Sequence, residues 1–72
     1  MSGWRSEIEV EEWDEGWAVF FTGPDDTTVL LQRDGDSLIW QTYYGDDVCG
    51  APLFQSEHEA REALAQAPDP AG

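Results

Sequence analysis

The sequence contains no lysine and only three arginines, against sixteen aspartates and glutamates, so its formal net charge is −13 in 72 residues. A surface that follows the nucleic-acid backbone needs clustered lysine and arginine. Anionic lipid surfaces repel such a chain for the same reason. The composition therefore argues against direct binding to nucleic acid or membrane. It leaves a basic partner, a high-salt environment or simple solubility as explanations of the charge.

Cysteine and long apolar runs are also scarce. Cys49 is the single cysteine, so an internal disulfide cannot form, and a reducing compartment is the simplest interpretation. The first residues carry no apolar core of a signal peptide, and no apolar run approaches the ~18 residues of a membrane span. We therefore expect a soluble protein of the cytoplasm, or of the host cytoplasm if the chain is phage-encoded.

Alternation and a short apolar run predict the first two strands. Over residues 4–13, Ile8 and Val10 alternate with glutamates, which is typical of a strand with one acidic, solvated face. A turn is expected over residues 12–16, where the alternation breaks and ends at a glycine. A second strand is predicted over residues 17–22, and the Gly-Pro-Asp-Asp segment after it is expected to turn.

The strongest local signal is a β-hairpin over residues 27–44. Two runs of β-branched and aromatic residues flank the dipeptide Asp34-Gly35, a strong hairpin signature. A type I′ turn centred on this dipeptide pairs apolar residues with apolar residues on both faces. We therefore expect the hairpin to lie in the middle of a small sheet. The expected opposite pairs are Arg33 with Asp36, Leu31 with Leu38, Leu30 with Ile39, and Val29 with Trp40.

A capping box predicts one helix near the end of the chain. After a loop over residues 45–52 and one further strand step at residues 53–54, Ser56 and Glu59 have the spacing of this motif. The helix is expected over residues 57–66, and the proline-rich residues 68–72 are expected to form a flexible tail. Its apolar stripe is narrow and consists of Ala60, Ala63, Leu64 and Ala67.

These elements predict a single α+β domain over residues 1–67. Its architecture is a small four-stranded antiparallel β-meander with one C-terminal α-helix packed on the sheet. The aromatic residues divide into two groups by their place in the pattern. The core group is Trp17, Phe20, Phe21 and Trp40, and the more exposed group is Trp4, Trp13, Tyr43 and Tyr44.

Paired carboxylates and exposed tyrosines are the candidate contacts for a partner. The acidic pairs occur in loops and along the first strand, where they can imitate a row of phosphates and fill the basic groove of a nucleic-acid-binding enzyme. Tyrosine and tryptophan are enriched among the residues that anchor interfaces. The candidate partner-binding residues are Glu11, Glu12, Asp14, Glu15, Asp25, Asp26, Tyr43, Tyr44, Asp46 and Asp47.

Metal and catalytic chemistry have little support in the sequence. Asp34 and Asp36 offer oxygen ligands, but the later ligands and the closing glutamate of a calcium loop do not follow. Cys49 and His58 are the only soft ligands, which is too few for a structural zinc site. Surrounding anions oppose formation of the thiolate that a catalytic cysteine needs. We expect a non-enzymatic protein without cofactor or metal.

The leading hypothesis is a small acidic protein-binding module that acts on a basic partner protein. Its sharpest version is a nucleic-acid mimic, such as a phage or mobile-element inhibitor of a host nuclease or CRISPR complex. The alternative is a structural or accessory domain whose acidity serves solubility or adaptation to high salt. A homodimer through the first strand is a further alternative, because the sheet position of that strand follows only from its order.

Overall fold

The computed structural model describes residues 7–70, which form an antiparallel sheet of four strands in the order β1-β2-β3-β4 and one helix. This arrangement confirms the predicted α+β meander. The expected strand residues 4–6, with Trp4, lie outside the described residues. The elements are β1 (Glu9–Trp13), β2 (Gly16–Thr22), β3 (Thr28–Asp34), β4 (Ser37–Tyr43) and α1 (Glu57–Gln66), with a tight turn at Pro24–Asp26 and a short 3₁₀ helix at Gly45–Gly50.

The first hairpin is tighter than its sequence indicates. β1 continues through Trp13, which pairs with Gly16, so only Asp14 and Glu15 form the connection. The expected turn over residues 12–16 is therefore too long. Strand pairing explains the difference, since the backbone of Trp13 completes the ladder while its indole packs beside Phe20.

The register of the second hairpin corrects the sequence-based expectation. Asp34 pairs with Ser37, so Gly35 and Asp36 are the central turn residues instead of Asp34 and Gly35. A type I′ turn needs positive φ at both central residues, whereas here only Gly35 has it, at 63°, as in a type II′ turn. The observed pairs are Arg33 with Leu38, Leu31 with Trp40, Leu30 with Gln41, and Val29 with Thr42.

The slip leaves every side chain on its expected face. Each partner has moved by two positions, and side chains alternate with a period of two. Leu31 and Trp40 therefore still lie on the same side of the sheet. The prediction that the hairpin lies in the middle of the sheet is also wrong. β2 and β3 are the inner strands, and β4 forms an edge because no later strand pairs with it within residues 7–70.

The sheet carries a separate core on each face. On one face, α1 contacts β1 and β2, and its buried Ala60 and Ala63 pack with Val19 and Leu31. Small helix side chains allow this close approach of helix and sheet, as the alanine stripe predicts. On the opposite face, the segment that begins with the 3₁₀ helix Gly45–Gly50 covers the sheet. The members of this second core are Ala18, Leu30 and Ala51, surrounded by Trp13, Phe20, Tyr43, Val48 and Leu53.

The chain passes from one face of the sheet to the other beside Trp17. β2 and β3 pair only from Phe20–Leu30 to Thr22–Thr28. At Trp17 the neighbour of β2 is instead Phe54, in an isolated antiparallel bridge. Leu53 belongs to the second core and Phe54 to the core under α1. The predicted strand step at residues 53–54 is thus a single bridge, and at this bridge the chain crosses to the face that carries α1.

The helix has the predicted bounds and the predicted cap. Ser56 Oγ accepts a hydrogen bond from the backbone N–H of Glu59 at 3.1 Å. Glu59 Oε1 in turn accepts from the backbone N–H of Gln55 at 3.4 Å, one residue before the donor expected in a capping box. Beyond the helix, the carbonyl of Pro68 accepts a hydrogen bond of 2.8 Å from Trp40 Nε1. The flexible tail and the domain limit at residue 67 stay predictions.

Candidate protein-binding surface

All sixteen acidic side chains lie within the described residues, and fifteen of them are exposed. Glu59, which contributes to the helix cap, is half-buried. Exposure of this kind follows from the cost of removing a carboxylate from water. The negative charge therefore lies on the surface, where another molecule can meet it.

The ten candidate residues do not form one continuous patch. Glu11 pairs with Ala18 on the sheet face opposite α1, whereas Glu12 pairs with Trp17 on the helix face. Consecutive strand residues point to opposite faces, so these two glutamates cannot share a contact surface within the sheet. The same alternation places Glu9 on the face of Glu11, about 7 Å along the strand.

One acidic pair lines a groove, and a second pair lies in the segment that forms the opposite wall. The connection between β1 and β2 supplies Asp14 and Glu15 to its wall, and the end of the Gly45–Gly50 helix supplies Val48 and Cys49. Trp13 and Leu53 complete the lining. The volume of about 280 Å³ is just below the ~300–1,000 Å³ typical of small-molecule sites. The groove suits contact with a protein side chain better than enclosure of a metabolite.

We call this groove, together with Glu11 on the strand beside it, the acidic groove. The 3₁₀ helix that carries Asp46 and Asp47 forms one wall. Apolar side chains hold that helix in place, because Val48 packs in the second core. The two aspartates precede Val48 directly, and both are exposed. The fold thus brings charges from β1, from its turn and from the 3₁₀ helix to one face of the sheet.

Trp13 lies between these charges. Its ring centroid is 5.1 Å from that of Phe20, and its Nε1–H donates to Glu11 Oε1 at 3.0 Å. The hydrogen bond orients the Glu11 carboxylate along the sheet face, and the half-buried indole supplies apolar surface beneath the acids. An apolar centre with a charged rim is the usual anatomy of a protein interface.

The third acidic pair is remote from the acidic groove. Asp25 and Asp26 lie in the connection between β2 and β3, at the opposite end of β2 from Asp14 and Glu15. Both have positive φ, 58° and 63°, a conformation that aspartate and asparagine tolerate better than most residues. These two residues serve the turn, and they lie at the end of the sheet where Thr28 pairs with Tyr43, away from Asp14 and Glu15.

The two adjacent tyrosines have different surroundings. Tyr43 packs in the second core, and its hydroxyl accepts a hydrogen bond from Gln32 Nε2. Tyr44 keeps 68% of its surface exposed, which marks it out among the large apolar side chains of residues 7–70. It directly precedes the 3₁₀ helix that carries Asp46 and Asp47. Tyr44 is therefore the aromatic side chain most available to a partner.

The basic and titratable side chains of α1 are paired with acids of the same helix, whereas the cysteine lies apart from them. Arg61 Nε lies 2.7 Å from Glu57 Oε2, and His58 Nε2 lies 3.1 Å from Glu62 Oε2, both along α1. Cys49 is exposed in the acidic groove, on the opposite face of the sheet from this helix. Among residues 7–70, no group of three or more histidine, cysteine or acidic side chains is arranged to hold a metal ion.

No family model, curated protein or solved structure matches this chain. Within the described part of the chain, no helix has the length and apolar character needed to cross a bilayer. Local sequence patterns do not show that Asp14 and Glu15 line a groove together with the segment that follows Asp46 and Asp47. A signal was present: the apolar Val48 interrupts an otherwise polar, acidic stretch, which indicates that this stretch packs on the sheet.

Proposed function

We propose that this chain is a small non-enzymatic binding protein whose acidic groove engages a basic surface on another protein. The sharpest form of the proposal is an inhibitor that imitates nucleic acid, of the kind that phages and mobile elements direct against host nucleases or CRISPR complexes. The target in that case is the cationic channel that normally holds DNA or RNA.

The observation that carries the proposal is the convergence at the acidic groove. Asp14 and Glu15 line it from one connection, and the 3₁₀ helix that carries Asp46 and Asp47 lines it from another through Val48 and Cys49. Like charges repel one another, so placing them on one face lowers the stability of the monomer. A basic partner offsets that cost, because its lysine and arginine side chains replace repulsion by attraction.

An aromatic anchor beside the acids also supports a protein partner. Tyr44 is largely exposed, and it stands next to Asp46 and Asp47 in the chain. Tyrosine contributes large contact area with few rotatable bonds, which is why it is frequent among residues that dominate binding energy. In this proposal, the acids attract the basic partner over long distances, and Tyr44 makes short-range contacts with it in the complex.

The rival explanation is that acidity serves solubility or high salt alone. The positions of the remaining carboxylates favour it to some degree, since Asp25, Asp26 and the helix acids lie far from the acidic groove. In this rival, no acidic pair matters more than another. The two explanations therefore differ in whether the effect of a charge depends on its position.

The test compares two matched double variants. Tagged protein is used to capture basic proteins from the native host at low salt, and the affinity of each captured protein is then measured. Asp14→Asn with Glu15→Gln removes two of the sixteen acidic charges, both from residues that line the acidic groove. Asp25→Asn with Asp26→Asn removes two at the remote turn, and asparagine preserves the positive φ there.

We expect the groove variant to weaken binding at least tenfold and the remote variant to weaken it no more than about twofold, with both melting curves unchanged. Equal effects of the two variants would show that net charge alone matters and would favour the rival. Capture of no basic protein by the unaltered chain would contradict the proposal itself.

A further inference from the structure

The lining of the acidic groove is apolar as well as charged. Its apolar members are Trp13, Val48 and Leu53, side chains at the margin of the second core that are only partly buried. Its charged members, Asp14 and Glu15, are exposed. A surface that only attracts cations does not need apolar side chains open to water beside its carboxylates, because such exposure costs free energy. The combination matches an occupant that is apolar along its length and cationic at its end.

Trp13 is held in place at this groove by three contacts. Its ring lies 5.1 Å from that of Phe20, and its Nε1–H donates to Glu11 Oε1 at 3.0 Å. Its backbone pairs with Gly16 in the first hairpin. Because the indole is already fixed, little conformational freedom is lost when a ligand packs against it. Tryptophan is also the aromatic side chain that attracts cations most strongly.

These features favour an arginine side chain over a lysine side chain. The lysine ammonium is a compact, strongly hydrated point charge, whereas the guanidinium group is planar, more weakly hydrated and able to stack on an aromatic ring. A guanidinium also donates two parallel hydrogen bonds to a carboxylate. The groove offers both an indole and carboxylates on the adjacent residues Asp14 and Glu15. Lysine would use only the charge of the groove, and arginine would use the ring as well.

The described part of this chain does not supply that arginine itself. Arg61 is paired with Glu57 along α1, on the other face of the sheet. Arg33 lines two different grooves, beside Phe54 and beside Pro68. The third arginine, Arg5, lies outside the described residues. A second copy of the chain carries a net charge of −13 and is repelled, so a basic partner is the source that charge complementarity favours.

We propose that the acidic groove receives one arginine side chain of the basic partner. The methylene stem of that arginine lies along Val48 and Leu53, and its guanidinium group lies against Trp13 and donates to the carboxylates of Asp14 and Glu15. This inference rests on the proposed function, because it takes a basic protein as partner. It adds which residue type of the partner is the anchor, and that lysine does not replace it.

The test uses three blocked five-residue peptides that differ only at the central residue, which is arginine, lysine or citrulline. Citrulline keeps the stem and the planar end group of arginine but has no charge. Each peptide is titrated at low salt into the unaltered chain, and binding is followed by the NMR signals of the Trp13 indole N–H and the Val48 amide. A Trp13→Phe sample identifies the indole signal of Trp13 among those of the four tryptophans.

We expect the arginine peptide to move both signals saturably, with at least fivefold higher affinity than the lysine peptide, and the citrulline peptide to give no saturable shift. Equal affinities for arginine and lysine would overturn the inference, because charge alone would then explain binding. A saturable interaction that leaves the Trp13 signal unmoved would overturn it too, as would the absence of saturable binding by the arginine peptide. None of these results depends on whether a variant folds.

Two matched variants locate the effect. Asp14→Asn with Glu15→Gln should weaken the arginine peptide at least fivefold, because both carboxylates line the groove. Asp25→Asn with Asp26→Asn removes the same charge at the remote turn and should weaken it less than twofold. Equal losses in the two variants would contradict a site at the groove.

The two proposals fail separately. If the groove variant weakens a captured host partner, but replacing each interface arginine of that partner by lysine leaves its affinity unchanged, the proposed function is correct and the arginine anchor is wrong. If the arginine peptide occupies the groove and the unaltered chain captures no basic protein, the arginine site is correct and the proposed function is wrong.

Discussion

Trp17 and Phe54 exchange two backbone hydrogen bonds, N–H of Trp17 to the Phe54 carbonyl at 2.7 Å and the reverse at 2.9 Å. The pair lies at the part of β2 that does not pair with β3, and Phe54 takes the neighbouring position there. It also links the two cores, because the preceding residue Leu53 packs on one face and Phe54 on the other. The position of α1 on the sheet depends on this passage.

Gly16 makes that close approach possible, and its substitution is the first prediction. Its φ is +150°, and a Cβ at this position would collide with the Phe54 carbonyl oxygen and lie 3.1 Å from Leu53 Cβ. We expect Gly16→Ala to lower the free energy of unfolding by about 2–4 kcal/mol, through backbone strain and loss of the bridge. Gly50→Ala, where open space surrounds the backbone, should change it by less than about 1 kcal/mol. Urea unfolding followed by tryptophan fluorescence measures both, and equal effects would contradict the role assigned to Gly16.

Local patterns predicted the elements of this fold well. The helix follows from the Ser56 cap and the alanine stripe, both of which depend on residues within a few positions of each other. The strand faces follow from alternation. The hairpin register failed by two positions, because Asp34-Gly35 and Gly35-Asp36 each supply a plausible two-residue turn and the choice depends on the pairing of the whole ladder.

Long-range features were beyond local reasoning. The sequence shows that residues 45–52 are polar and rich in turn-forming residues, but not that Val48 and Ala51 pack on the sheet. That contact covers the apolar face opposite α1, on which no second α-helix packs within residues 7–70. The acidic groove arises from the same contact, so the candidate residues were predicted individually and their grouping was not.

Trp40 connects β4 to Pro68, beyond the end of α1. Two substitutions separate the contributions of its hydrogen bond and its ring to the free energy of unfolding. Its ring meets Phe21 at 5.4 Å in an edge-on arrangement, and its Nε1–H donates to the Pro68 carbonyl at 2.8 Å. Trp40→Phe removes the hydrogen bond and should cost about 1 kcal/mol. Trp40→Ala also removes the ring and should cost about 3 kcal/mol, at the lower end for a core tryptophan because this one is half-buried. Denaturant unfolding checks both values, and an unfolding midpoint for Trp40→Ala equal to that of the unaltered chain would mean that β4 is packed differently.

Substitutions of the adjacent residues Tyr43 and Tyr44 should affect different quantities, the first the free energy of unfolding and the second the affinity for the partner. Tyr44 is 68% exposed, so Tyr44→Ala should leave the free energy of unfolding within about 0.5 kcal/mol. If Tyr44 anchors the partner, the same change costs about 2 kcal/mol of binding, or roughly thirtyfold in affinity. Tyr43→Phe is the control: it loses the hydrogen bond from Gln32 and should lower stability by about 1 kcal/mol without affecting affinity. Calorimetry with the captured partner measures affinity, and the reverse pattern would assign the anchor to Tyr43.

Salt should act in opposite directions on the fold and on the complex. Repulsion among exposed carboxylates in a chain of net charge −13 destabilises the folded state, and screening removes most of it once the Debye length falls to about 8 Å near 0.15 M. We therefore expect the melting temperature to rise between 10 and about 300 mM NaCl and then level off, equally in KCl, while affinity for the basic partner falls at least tenfold. Asp25→Asn with Asp26→Asn should reduce the rise in melting temperature and leave the fall in affinity intact, because those two residues are remote from the acidic groove. A protein adapted to high salt behaves differently: it is poorly folded at 150 mM and continues to gain stability into the molar range. That outcome, measured by differential scanning fluorimetry, would assign the acidity to solvation rather than to a partner.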